Sequence, residues 1–188
     1  MRRPGRRICI ADATLAGPDG TTVMSATLQC IRRKPFDHGW TSDLAAPPPP
    51  ESGVPLAPAT LAGPPAFHRG GVEHSCVNGT TFEAPGPATD WIRLTVPLVA
   101  GRETSPLERV VAAADFGNGV SKLFDMDRVL FVNPDLTVLL HRLPLGEWVC
   151  LDATTRLGDD GVGLAESLLF DAEGVIGRST QTLLVEPR

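Results

Sequence analysis

SPLERVVAAADFGNG, residues 105–119, reads as a short helix with a signal at each end. Ser105 is an N-cap serine, Pro106 takes the first helical position and Glu108 the third. Serine and glutamate can then each satisfy a first-turn N–H that has no helical partner. Leu107, Val110, Val111 and Ala114 fall at helical spacing, and Gly117 is expected to stop the helix. Asp115 stands eight positions after Leu107 and four after Val111, so it continues the apolar stripe and is expected to face the core. It also lies in the last turn, where the helix dipole opposes a negative charge, so no capping benefit accounts for it. An acid placed against both burial and the dipole suits a general base. The plainer alternative is an aspartate that only bonds to the Gly117-Asn118-Gly119 turn.

Strand signals lie on both sides of this helix. Downstream, VLFVNPDLTVLLHRL (129–143), EWVCLDATTRL (147–157), GVGLAESLLFDAEG (161–174) and VIGRSTQTLLVE (175–186) are separated by Pro144-Leu145-Gly146, Gly158-Asp159-Asp160-Gly161 and Glu173-Gly174. Upstream, TFEAPGPATDWIRLTVPLVAG (81–101) suggests a strand around Trp91 to Val99, edged by prolines. One strand, one helix, then three or four antiparallel strands is an α+β pattern with a single helix against a sheet. Farther upstream, residues 6 to 33 read as a hairpin about the turn string Gly17-Pro18-Asp19-Gly20. Two strands are marginal alone, so the hairpin must lean on something else. From about Leu44 to Ala66 prolines dominate, with Pro47 to Pro50 in a row, which excludes helix interior and central strand and reads as an extended linker.

The 188 residues are 42% hydrophobic with a net charge of -5, enough for one good core or two small ones. That charge points neither to nucleic acid nor to an anionic membrane as a partner. No run approaches the roughly 18 apolar residues of a membrane helix. Arg2, Arg3, Arg6 and Arg7, followed only by the short run ICIA, make no signal peptide, so a cytoplasmic location is expected. Cys9, Cys30, Cys76 and Cys150 are far apart and keep no metal-ligand spacing with His38, His68, His74 or His141. They read as small hydrophobes, and neither a metal nor a cofactor is expected. Asn78-Gly79 reads as a turn.

Few residues outside the helix carry chemistry. Thr154 and Thr155 stand near a strand end, where threonine is ordinarily a good β-former. Gln181 sits beside Leu183, Leu184 and Val185, and its amide needs a partner if buried. Alternation puts Ser179, Gln181 and Leu183 on one face and Thr180, Thr182 and Leu184 on the other, with the inward face open. His141 and Arg142 end a strand and read as solvated or interfacial, and Asp159-Asp160 as a solvated turn. Neither a Ser-His-Asp order nor a GxSxG elbow, phosphate loop or dinucleotide fingerprint is present, so an enzyme built on this chain would activate water.

The strings ADFGNG (114–119), FVNPDLTVLLHR (131–142), GEWVCLDATT (146–155) and IGRSTQTLLV (176–185) give Ser105–Arg188 a resemblance to the C-terminal half of the double hot-dog acyl-CoA thioesterases, the type II thioesterase-like family. GPATDWIRLTVPLVAG (86–101) is similar to the opening strand of the same half, and MRRPGRRICIADATL (1–15) resembles the middle of the family's first hot dog. The resemblance implies an antiparallel sheet wrapped around one central helix, with three parts: a remnant hairpin of a first hot dog over 1–43, a proline-rich linker over 44–69 and a C-terminal hot dog over 70–188. It implies hydrolysis of an acyl-CoA substrate by water, with Asp115 as the base and Thr155 and Gln181 holding that water. Thr154 and Thr182 are the neighbouring alternatives. A backbone N–H near Gly117 to Gly119 would serve the oxyanion. About a third of a usual member would be absent, which leaves a sheet edge and apolar surface that favour a homo-oligomer. The other class of function is a non-catalytic module that binds acyl-CoA or a protein partner, or an inactive remnant.

Overall fold

The computed structural model describes residues 2–40, 44–56, 66–79, 84–124 and 128–188, and divides into two units at Thr41/Ser42. The first is a two-stranded antiparallel hairpin, β1 (Ile8–Ala16) and β2 (Thr22–Ile31), as its two β-branched runs and its turn string foretell. Asp19 shapes the turn by accepting from the Thr21 N–H. Arg2 and Thr27 both bond Asp12 on an exposed face.

The second unit is an antiparallel sheet with helices against one face, a hot-dog fold. Its strands are β3 (Val54–Pro55), β4 (Val72–Asn78), β5 (Ala88–Leu94), β6 (Val129–Val132), β7 (Thr137–Leu140), β8 (Trp148–Leu157), β9 (Val162–Asp171) and β10 (Gly174–Pro187). The order across the sheet is β3-β4-β5-β8-β9-β10-β6, and β7 also pairs with β10. The helices are α1 (Phe67–Gly70), α2 (Pro106–Ala114) and α3 (Gly117–Val120). Strand β5 ends at Leu94 rather than Val99. There the Thr95 N–H turns to the Gly71 carbonyl, and Pro97 cannot donate to a ladder.

The capping box forms as the residues require: Glu108 N–H donates to Ser105 Oγ, and Ser105 N–H donates to Glu108 Oε2 at 2.8 Å. The buried stripe, however, is rotated from the expected one. Val110, Ala113 and Ala114 are fully buried, whereas Leu107 and Val111 are 42% and 40% exposed. The sheet takes the smaller side chains, which let α2 lie close to β5 and β8. Gly117 does not end the helix either. The chain breaks at Asp115-Phe116 and resumes as α3, whose first residue is Gly117.

Apolar residues fill both faces of the sheet. Ile92, Val149, Leu151, Leu169 and Ile176 pack with α2 and α3 on the inner face. Trp91, Cys150 and Phe170 form a separate cluster on the outer face. The described part of the proline-rich stretch docks on the sheet. Pro50–Ser52 make a 3-10 turn and β3 pairs with the edge of β4. Pro48 O accepts from Trp91 Nε1 at 2.7 Å, and Pro50 O accepts from Ser75 Oγ at 2.6 Å. Proline is tolerated there because an edge strand needs few of its N–H groups. Residues 41–43, 57–65 and 80–83, which belong to the linker, turn and strand readings, lie outside the described residues.

VLFVNPDLTVLLHRL is not one strand but two, because Pro134 has no N–H to give the ladder. Strand β6 pairs with Leu184–Pro187 of β10 and β7 with Gly177–Thr180. Between them the Thr182 N–H of β10 donates to Asp135 Oδ1 at 2.8 Å, so a side chain replaces the missing backbone acceptor. Arg142, read as solvated or interfacial, is partly exposed. It forms an ion pair with the fully buried Asp171, which also accepts the Leu145 and Glu173 N–H groups at 2.8 and 2.9 Å. Burial opposes the Asp171 charge, but the guanidinium and the two N–H groups outweigh it and hold the carboxyl below its ordinary value. The stability this provides is present above that ordinary value and lost as pH falls through the lowered one. Asp171→Asn should therefore cost about 2–3 kcal/mol at neutral pH. In denaturant titrations the gap between the two proteins should narrow below pH 3.8; a gap of constant size would refute the ionic origin.

Candidate functional site

The chain folds so that Asp115, Gln181, Asn118 and Asn133 meet at the α2–α3 break. Asp115 is the C-cap of α2 with helical dihedrals, and its side chain is exposed rather than turned to the core. It shares the open side of α2 with Leu107 and Val111, so the stripe identified in sequence is real in spacing but faces away from the sheet. Gln181 comes from β10. Its row across the sheet is Thr155 of β8, Ala165 of β9 and Gln181 of β10, three residues in direct register. The inward set is Ser179, Gln181 and Leu183, all buried, which resolves the face left open by alternation. Thr182 faces outward and bonds to Asp135. Thr154, next to the buried Thr155, likewise lies on the outer side with Arg156 and Glu166.

Gln181 Nε2 donates to Asp115 Oδ1 at 3.2 Å and to the Asp115 carbonyl at 3.1 Å. Its Oε1 accepts the Asn118 N–H at 3.0 Å. Asn133 Nδ2 donates to the same Asp115 Oδ1 at 2.8 Å, and Asn118 Nδ2 donates to Asn133 Oδ1 at 3.3 Å. Among the described residues nothing donates to Asp115 Oδ2. Gly117 allows this approach: a Cβ on it would lie 2.9 Å from Ser167 Oγ and 3.0 Å from Gln181 Oε1.

Thr155 does not reach Asp115. Its hydroxyl lies 2.8 Å from Ser121 Oγ, which donates to the Gly117 carbonyl at 2.9 Å, so it ties β8 to the α3 turn. The Asn118 N–H, within the stretch expected to serve an oxyanion, is already engaged by Gln181. Asn133 and Asn118 were not singled out in the sequence. Pro134 within a strand-like run signals an edge or a bulge, but nothing in it shows that the bulge would meet Asp115.

Other titratable groups are turned to different ends. His74 Nδ1 and Asp90 Oδ2 are 2.6 Å apart, both buried, and the His74 ring packs edge-on against Phe116 with centroids 5.2 Å apart. Burial pushes the Asp90 carboxyl up, and His74 offsets this only in part. Burial likewise raises the Cys150 thiol, reinforced by Asp90 and Asp152, which leaves it unsuited to nucleophilic work. A cavity of about 380 Å³ beside β4 is lined by Arg69, His74, Ser75 and Trp148, among others. Among the described residues no cluster of three or more His, Cys, Asp or Glu side chains could hold a metal, and no helix is long and apolar enough to cross a membrane.

The comparisons with known proteins agree with this fold. A putative thioesterase II from Thermobifida fusca superposes with a TM-score of 0.72 at 22% identity, over 97% of this chain and 70% of that one. A protein of unknown function with a hot dog fold from Alicyclobacillus acidocaldarius gives 0.69 at 16% identity, over 98% and 69%. The acyl-CoA thioesterase II TesB2 of Mycobacterium marinum gives 0.64 at 14% identity, over 99% and 71%. At these identities the likeness is one of fold. No curated protein sequence matches. A family model described as the acyl-CoA thioesterase C-terminal domain matches residues 42–185, the sheet with its helices up to the last residues of β10, and the chain therefore belongs to that family.

Proposed function

We propose that this chain is an acyl-CoA thioesterase in which Asp115 activates water. The observation that carries the proposal is an exposed carboxylate held through one oxygen by Gln181, with no donor to the other oxygen among the described residues. In the reaction water loses a proton to Asp115 Oδ2 as its oxygen bonds to the thioester carbonyl carbon. The C–S bond then breaks, and the departing thiolate of coenzyme A takes up the proton to leave a free acid and a thiol. Gln181 holds the carboxylate in place, a positional role that geometry can enforce without any covalent step. Thr155 stands one small residue away in the same row and supports the α3 turn through Ser121.

In the same reading the β1–β2 hairpin is what the chain carries of a first hot-dog domain, residues 44–69 join it to the second, and the protein works in the cytoplasm. Leu107 and Val111 on the open side of α2, with Leu130, Val132 and Leu139 on the outer edge of the sheet, form apolar surface suited to a second copy. Light scattering of the purified chain should therefore give a mass above 20.0 kDa, and a strict monomer at micromolar concentration removes the self-association.

Asp115→Asn should lower kcat/KM on acyl-CoA by about 10²–10⁴-fold with little change in thermal stability, the span expected for loss of a general base. Unchanged turnover in the purified variant eliminates Asp115 as the base. Binding of acyl-CoA without turnover in the unaltered chain would leave the non-catalytic module as the surviving reading. Thr155→Val should act differently, costing about 1 kcal/mol of stability for the lost buried hydroxyl pair. Its effect on turnover should stay well below that of Asp115→Asn, and an equal loss would place Thr155 at the reacting water instead.

A further inference from the structure

We infer that Asn133, at the break between β6 and β7, is the positioning residue that decides which oxygen of Asp115 is left for chemistry. This deepens the thioesterase reading and rests on it for its kinetic part. The two carboxamides converge on one atom: Asn133 Nδ2 at 2.8 Å and Gln181 Nε2 at 3.2 Å both donate to Asp115 Oδ1, and neither touches Oδ2. An exposed aspartate is otherwise free to spin about its terminal torsion, which interchanges the two oxygens. Two donors on one oxygen, from opposite elements, fix the plane of the carboxylate and point Oδ2 outward.

The amides cannot flip without loss, because each is held at its other end. Asn133 Oδ1 accepts from Asn118 Nδ2, and Gln181 Oε1 accepts the Asn118 backbone N–H. Turning either amide over would set its carbonyl against the Asp115 carboxylate and leave an Asn118 donor facing an NH₂ group. Asp115, Gln181, Asn118 and Asn133 thus close a ring in which every amide has one orientation. Asn133 stands where it does because of backbone chemistry. Alternation along β6 turns it inward with the buried Phe131, and Pro134 ends the strand at the next residue, so the chain bends out while Asp135 fastens the break to β10 through Thr182. Thr155, the hydroxyl in the register row, serves Ser121 and leaves this position to Asn133.

Other titratable groups on the elements around Asp115 are engaged elsewhere: on α2, Glu108 pairs with Arg102 and Arg109 donates to the Gly146 carbonyl. Asp135 accepts from Thr182 on the β6–β7 connection, and His74 on β4 pairs with Asp90 while packing on Phe116.

The test has one arm that needs no catalysis. Nitrogen-15 spectra of the side-chain NH₂ groups in the full chain should show the Asn133 and Gln181 signals moving together when Asp115 is replaced by Asn. An Asn133 signal indifferent to Asp115→Asn overturns the assignment, whatever the activity of the chain. In the kinetic arm, Asn133→Asp keeps the shape but sets a second carboxylate against the first, and Asn133→Leu keeps the volume without a donor. Each should lower kcat by about tenfold or more with KM within about twofold, and Asn133→Ser, which keeps a hydroxyl donor, should recover part of the loss. Equal kcat in all three variants, or a change confined to KM, refutes the positioning role. A silent wild-type chain in this arm defeats the thioesterase reading alone, because the spectra still decide where Asn133 points.

Discussion

The close approach of Gly117 to the sheet is the contact on which the rest of the site depends. A Cβ there would press on Ser167 Oγ and Gln181 Oε1, so glycine lets the first turn of α3 settle onto β9 and β10 with neither side chain displaced. The small residues Ala165, Ser167 and Ser179 on those strands leave the matching space. Once α3 is seated, the Asn118 N–H meets the Gln181 carbonyl oxygen, and the preceding Asp115 is delivered to the Gln181 amide. One missing Cβ therefore sets the height at which a helix end, a strand and an edge connection can exchange hydrogen bonds.

The acidic side chains of the second unit divide by environment into distinct roles. Asp171 is enclosed by Arg142 and two backbone N–H groups, which hold its charge and use it to fasten the turn between β9 and β10. Asp90 is enclosed with His74 and the Ser75 backbone beside it, and burial still disfavours its charge. Of these three, Asp115 is the exposed one, with one oxygen tied down by Asn133 and Gln181. Burial with full satisfaction makes a structural acid, whereas half satisfaction at an exposed helix end is what the proposed base requires.

The prolines work at edges in two places. Pro134 interrupts the strand that borders β10, and the gap it opens is closed by the Asp135 side chain and brings Asn133 to the helix break. Upstream, the run of prolines cannot enter a central strand, yet its carbonyls still accept from Trp91 and Ser75 and cover the apolar cluster on the outer face. Losing a donor limits a residue to the border of a sheet without excluding it from the fold.

Much of the local structure was legible in the residues themselves. The capping box at Ser105 and Glu108, the turn at Asp19-Gly20 and the four long strand strings act over a few neighbouring residues, and those neighbours are adjacent in the chain. The family resemblance likewise rested on strings of six to sixteen residues, and Asp115 was singled out by its place at a helix end. What sequence misjudged was direction: the apolar stripe of α2 is read one position away, so Asp115 is turned inward, and the Asn133 contact with Asp115 is not foreseen. Which face of a helix is buried depends on what the sheet offers it, and which amide meets a carboxylate depends on segments up to 66 residues apart. Chain periodicity determines that such faces exist; only the packing of α2 and α3 on β8–β10 decides which face is covered and which oxygen of Asp115 stays open.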